Sequence, residues 1–122
     1  MSSLNPLLKT LPASVATRLD QGLSQLGIAV DEHQREQLLG LLGLLHKWNR
    51  AYNLTAVREV DDMVSRHVLD SAAVLPYVQG PRLLDVGSGP GLPGIVLAIL
   101  KPALAVTLLD SNGKRYAFSV RL

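Results

Sequence analysis

Apolar positions recur at helical spacing through the first part of the chain and then give way to short unbroken apolar runs. From Ala13 to Leu26 the apolar stripe is Val15, Leu19, Leu23 and Leu26, which predicts an amphipathic helix. Gly27 is placed to stop it. Asp31, with Gln34 three residues on, has the spacing of a capping box, so a second helix is expected to start there. Leu38, Leu41, Leu42, Leu45 and Trp48 share one stripe of that helix, which should end near Tyr52. Asp61 is expected to cap a third helix, with Met63, Val64, His67, Val68 and Ser71 on neighbouring faces and Pro76 near its end.

The period changes at Gly80-Pro81. Arg82-Leu83-Leu84-Asp85-Val86 is a short apolar run stopped by glycines, as expected of a buried parallel strand. Pro93 to Leu100 reads as a helix, Pro93 suiting its first turn, and Lys101-Pro102 ends it. Ala105-Val106-Thr107-Leu108-Leu109 is a second strand, followed by Asp110, and Lys114 and Arg115 should then start a further helix. Strand, glycine loop, helix, strand and acid open a doubly wound α/β sheet. The expected organisation is a helical N-terminal extension, residues 1–79, followed by the start of an α/β, Rossmann-like domain, residues 80–122. A lone βαβ unit cannot cover both faces of a sheet, so that domain reads as incomplete and as leaving a sheet edge open to self-association.

Composition narrows the function. Hydrophobic residues make up 48% of 122 residues and charged residues 18%, enough apolar material for a core and too much for wholesale disorder. A net charge of +2 permits an RNA partner without demanding one. There is no cysteine, which excludes disulfides, thiolate metal sites and a cysteine nucleophile, and no metal is expected. Met1 to Leu11 carries a lysine inside its apolar stretch, unlike a signal peptide, and the leucine-rich run Leu38–Leu45 is too short to span a bilayer. A soluble, cytoplasmic protein with no membrane partner is expected.

The chemistry concentrates in Leu83-Leu84-Asp85-Val86-Gly87-Ser88-Gly89-Pro90-Gly91-Leu92-Pro93-Gly94. Glycines between a strand and a helix allow a tight turn and let a ligand approach the backbone. Asp85, at the strand's end, can pair with the cationic amino group of a methionine moiety. Asp110, at the end of the second strand, can accept hydrogen bonds from both hydroxyls of a ribose. One carboxylate for each polar end of S-adenosylmethionine makes a coherent site. The competitor is a dinucleotide in a nicotinamide-dependent oxidoreductase, since Gly89-x-Gly91-x-x-Gly94 matches the dinucleotide fingerprint literally. Two details weigh against it. Gly87 has already ended the strand before that fingerprint begins, and Asp85 would bring negative charge towards a pyrophosphate. A phosphate-binding P-loop is excluded, because no Gly-Lys-Ser or Gly-Lys-Thr follows.

Three motifs in order carry a family resemblance. They are His46-Lys47-Trp48-Asn49-Arg50-Ala51-Tyr52-Asn53-Leu54-Thr55, then Arg66-His67-Val68-Leu69-Asp70-Ser71, then Asp85 to Gly94. From about Asp31 to Arg115 the chain resembles the small-subunit ribosomal RNA methyltransferase G family, also called glucose-inhibited division protein B. The resemblance implies a Rossmann-like class I methyltransferase domain behind a helical extension. It also implies S-adenosyl-L-methionine as cofactor and methylation of a guanine N7 in 16S ribosomal RNA, on naked RNA or the small subunit, by a cytoplasmic monomer when complete. By resemblance Gly87 and Leu92 touch the cofactor, while Gly89, Gly91 and Asp110 shape its pocket.

Lys47, Arg50, Arg58, Arg66, Lys114 and Arg115 are the candidate RNA contacts, although Glu59, Asp61 and Asp62 dilute the basic cluster. The plainer readings are structural. Leu45 and Trp48 are core, His67 is a packed histidine, Asn53 and Thr55 cap a turn, and Asp70 pairs with Arg66 at helical spacing. No catalytic acid or base stands out. The last residues, Tyr116-Ala117-Phe118-Ser119-Val120-Arg121-Leu122, depart from the family, which continues Thr-Arg-Phe-Leu. One extra nucleotide before codons for Thr-Arg-Phe-Leu-Tyr-Ala yields Tyr-Ala-Phe-Ser-Val-Arg, so a frameshifted or otherwise truncated product is expected. Such a chain should bind cofactor weakly or not at all and should not methylate RNA; a non-enzymatic helical binding fragment is the third reading.

Overall fold

The computed structural model describes residues 11–52, 59–86, 94–109 and 115–118. The first helix, α1 (Ala13–Gln25), buries Val15, Leu19 and Leu23 on the stripe that the sequence marks out. Its end is set by Gly27, whose φ of 72° is open to a residue without a Cβ. There the Gly27 amide donates to the Ser24 carbonyl at 3.0 Å and the Ile28 amide to the Leu23 carbonyl at 2.9 Å, the paired bonds of a Schellman ending.

The second helix, α2 (Glu32–Tyr52), opens on the expected capping box. The Gln34 amide donates to Asp31 Oδ1 at 2.7 Å, and the Asp31 amide to Gln34 Oε1 at 2.9 Å. Leu38, Leu39, Leu42 and Leu45 are buried along it, each contributing roughly 1.5–3 kcal/mol by leaving water.

The third helical stretch winds in three ways: α3 (Val60–Met63), a π-helical segment (Val64–Leu69) and α4 (Asp70–Ala72). Its start differs from the sequence expectation. Glu59, in extended conformation, stands at the cap position without a side-chain capping bond, and Asp61 lies inside the first turn. The reason is tertiary: Asp61 Oδ1 accepts the Ser14 hydroxyl at 2.9 Å and lies 3.7 Å from Arg18 Nε, so its carboxylate serves α1. The expected Arg66–Asp70 ion pair is also not found among the described residues. Both side chains are exposed, so water competes with the pair and ordering two side chains costs more than their contact returns. Val60, Met63, Val64, Val68 and Ala72 nonetheless face the core.

A 3-10 turn (Leu75–Tyr77) and Gly80, with φ of 79°, lead into the sheet. Strand β1 (Arg82–Val86) pairs in parallel with β2 (Ala105–Leu109), and α5 (Gly94–Leu100) is the crossover between them. One departure concerns the end of the chain. Arg115, expected to begin a helix, instead opens β3 (Arg115–Phe118), antiparallel to β2 with Leu109 opposite Arg115 and Val106 opposite Phe118. The local sequence explains it, because Tyr116 and Phe118 favour strands, and Ser111, Asn112 and Gly113 favour a hairpin connection. Lys114, expected with it in that helix, lies outside the described residues. The sheet order is β1-β2-β3, so among the described residues the outer edges of β1 and β3 are unpaired and both edges of β2 are covered.

Helix α5 lies between two apolar layers. Val96 and Ile99 join the core built by α1, α2 and the third helical stretch. Leu97 and Ala98 pack with Leu104 and Val106 beneath the sheet. The helical extension is therefore the outer layer over the crossover helix.

Candidate functional site

Parallel pairing decides where the chemistry gathers. Residues of β1 and β2 are in register from Arg82 opposite Ala105 to Val86 opposite Leu109. Both strands run the same way, so both carboxyl ends lie on one edge, the edge at which open α/β sheets bind their ligands. Asp85 is opposite Leu108, one rung before the ladder ends. Gly87 and Asp110 each follow directly in the chain from the last rung, Val86 and Leu109. Neighbouring strands stand about 4.8 Å apart, so Val86 and Leu109, the residues that precede the glycine run and the second acid in the chain, lie side by side.

Gly87, Gly89, Gly91, Leu92 and Asp110 lie outside the described residues, as do Arg58 and Lys114. For Asp85, Arg50 and Arg115 the backbone is placed, in β1, α2 and β3 respectively. The structure thus brings the chain ends of the glycine run and of Asp110 to one edge. The run ends at Gly94, the buried first residue of α5.

The candidate RNA contacts are less concentrated. Lys47, in the last turns of α2, and Arg66, in the π-helical segment, are both exposed. Beside Arg66, His67 is half-buried and titrates below the ordinary histidine value. Loss of water around the ring is the largest cause, and the Arg66 charge adds to it against the opposing pull of Asp70. The Ser71 hydroxyl donates to the His67 carbonyl at 2.5 Å, holding the backbone at this point. Asn49, in the first family motif, is 1% exposed and is held by a partner. Among the described residues no cluster of three or more histidine, aspartate or glutamate side chains could hold a metal ion. None of the described helices is long and apolar enough to cross a membrane.

One residue at the joint between the layers was missed by the sequence reading except as a cap. Gln34 Nε2 donates to the carbonyls of Ile99 at 3.1 Å and Leu100 at 3.4 Å, at the carboxyl end of α5. The available signal was the residue type: a glutamine in this capping position carries an amide donor that a glutamate lacks.

A parallel strand–helix–strand unit under a helical layer defines an α/β arrangement with a small parallel sheet. The chain belongs to the rRNA small subunit methyltransferase G family, whose model matches residues 34–121. That stretch begins at Gln34 and takes in β3. The ribosomal RNA small subunit methyltransferase G of Chromohalobacter salexigens is 67% identical over 101 residues, which are 83% of this chain and 49% of the relative. The protein of the same name from Ectopseudomonas mendocina is 60% identical over 109 residues, 88% of this chain and 51% of the relative. That of Klebsiella pneumoniae is 55% identical over 101 residues. The chain spans about half the length of the curated relatives it matches.

Proposed function

We propose that the chain carries the cofactor-binding segment of an S-adenosylmethionine-dependent methyltransferase acting on guanine N7 in 16S ribosomal RNA. The observation that carries this reading is the register of β1 and β2, which sends the glycine run and Asp110 off the same rung of the sheet. Family membership favours a methyl donor over a nicotinamide dinucleotide on that glycine run. The carboxylate of Asp85 would pair with the cofactor's ammonium group and that of Asp110 with its ribose hydroxyls. Gly87, Gly89 and Gly91 would leave room for the ligand against the backbone, with Leu92 beside it.

When bound, the cofactor supplies an electrophilic methyl group. Asp85 and Asp110 would hold it, and the methyl group it would supply to the lone pair of guanine N7 would leave a neutral thioether behind and a cationic guanine as product. No proton has to be removed for that step, so holding the two reactants in line supplies most of the acceleration. This chemistry accords with a site whose recognisable residues bind and orient. A-form RNA hides N7 in a deep, narrow groove, so the target base is presented from a loop or pulled out of its stack. Lys47, Arg50, Arg58, Arg66, Lys114 and Arg115 would neutralise phosphates around it. In this reading residues 1–79 form the extension and 80–122 open the catalytic domain of a cytoplasmic enzyme.

Transfer of labelled methyl from S-adenosylmethionine to small-subunit ribosomal RNA tests the proposal. The assay compares this chain with a longer version joined to the second half of the Chromohalobacter relative. The longer version is expected to label guanine N7 and this chain to label little. A longer version that folds and labels another atom, or no RNA, overturns it.

A further inference from the structure

Gln34 makes two sets of contacts with one side chain. Its Oε1 accepts the Asp31 amide and closes the capping box of α2, while its Nε2 points at the carbonyls of Ile99 and Leu100. The amide has one orientation that satisfies this network, since exchanging O and N would set an oxygen against two carbonyl oxygens. Those carbonyls belong to the last turn of α5, where intrahelical donors run out. The side chain therefore fastens the start of α2 to the end of the helix whose beginning receives the glycine run.

Apolar packing alone fixes α5 less completely. Val96 and Ile99 meet the helical layer, and Leu97 and Ala98 meet the sheet. Such burial holds the helix between the layers but is not directional, so it resists sliding along the axis and rotation about it only weakly. Two directional bonds at the carboxyl end supply what the packing lacks. Helix α5 has seven residues, a rod of about 10 Å, so a shift at its carboxyl end is passed to Gly94 at its start.

We propose that Gln34 is a positioning residue: it sets where α5, with Gly94 at its start, stands relative to β1, and thereby cofactor affinity. The link to affinity rests on the cofactor reading above; the fastening of α5 does not. The start of α2, on this account, acts as the template against which α5 is aligned.

Two substitutions in this chain separate the roles of the side chain. Gln34→Glu keeps the capping acceptor and removes the donor, placing a carboxylate against two carbonyls. Gln34→Lys removes the capping acceptor and keeps a donor within reach of α5. Hydrogen exchange resolved by NMR reads α5 directly, and S-adenosylhomocysteine titration of the same samples reads affinity. Gln34→Glu is expected to speed exchange of the amides from Ile99 to Lys101 about tenfold while those of α1 stay unchanged. Gln34→Lys is expected to hold α5 near its original rates and to loosen the first turn of α2. Affinity for S-adenosylhomocysteine should fall at least threefold in Gln34→Glu and recover in Gln34→Lys. Unchanged α5 exchange in Gln34→Glu overturns the proposal, as does loosened α5 with undiminished affinity. If the unsubstituted chain binds no S-adenosylhomocysteine, the same substitutions in the longer version joined to the relative's second half read affinity, and no binding there while α5 still loosens defeats the cofactor reading and leaves the fastening of α5 standing.

Discussion

Val86 and Leu109 face each other on the last rung of the parallel ladder. The residue after Val86 begins the glycine run, and the residue after Leu109 is Asp110. Two acids therefore flank one rung in the chain, Asp85 before it and Asp110 after, and the proposed function gives them different duties. Replacing either by asparagine should leave the fold intact and weaken S-adenosylhomocysteine binding. Hydrogen bonds to a charged group contribute about 1.5–3 kcal/mol, so a loss of roughly 10- to 100-fold is expected in an NMR titration. Undiminished affinity in both variants would remove these acids from the site.

Gly22 on α1 lies against the π-helical segment. A Cβ added there would overlap the methyl groups of Leu69 and stand 3.0 Å from its Cγ. Gly22→Ala should cost about 1–3 kcal/mol in urea unfolding, since overpacking outweighs the gain in helix propensity. Combining it with Leu69→Ala should be non-additive, recovering part of the loss because the clash is gone. Strict additivity of the two changes would contradict this packing.

Arg35 Nε meets Asp20 Oδ1 at 2.8 Å, and its Nη2 meets Oδ2 at 3.1 Å, joining α2 to α1 in a two-point contact. The hydrogen bond to Asp20 is the largest influence raising the guanidinium above its ordinary value, against the cost of partial burial. Both side chains are substantially exposed, so solvent screens the pair. Asp20→Asn should cost less than about 1 kcal/mol, and the difference should shrink in high salt. A larger, salt-insensitive loss would show a role beyond this pair.

His67 gives a pH dependence with a definite sign. Its folded value lies below 6.5, so between those two values the unfolded chain binds more protons than the folded one. This group therefore leaves stability untouched above 6.5 and lowers it as pH falls from 6.5 towards the folded value. Below that value the loss is constant. Titration of the His67 ring protons by NMR should give a midpoint under 6.5, and a midpoint above it would contradict the burial described here.

Much of the fold was legible because its signals are local. Asp31 and Gln34 lie three residues apart, Gly27 needs only its own φ, and the apolar runs of β1 and β2 carry their period with them. Features set by distant contacts were not legible. Asp61 looks like a cap until Ser14 and Arg18 claim its carboxylate, and nothing in residues 64–69 announces π-helical winding. Strand β3 stands where Lys114 and Arg115 suggest a helix start, because Tyr116 and Phe118 favour extended backbone paired with β2. Of the site, the sequence order supplied the glycine run and its two acids. The parallel register supplied the common edge of Val86 and Leu109, which precede Gly87 and Asp110 in the chain. The second use of Gln34, reaching across to residues 99 and 100, has no sequence-local trace beyond its amide.

The most direct test follows backbone amides of the labelled chain as ligand is added at millimolar concentration, which detects even weak binding. S-adenosylhomocysteine should shift Val86, Gly87, Gly89, Leu92 and Asp110 together, and NAD should leave them in place. Shifts caused by NAD instead, or shifts from S-adenosylhomocysteine confined to residues away from this edge of the sheet, would contradict the account.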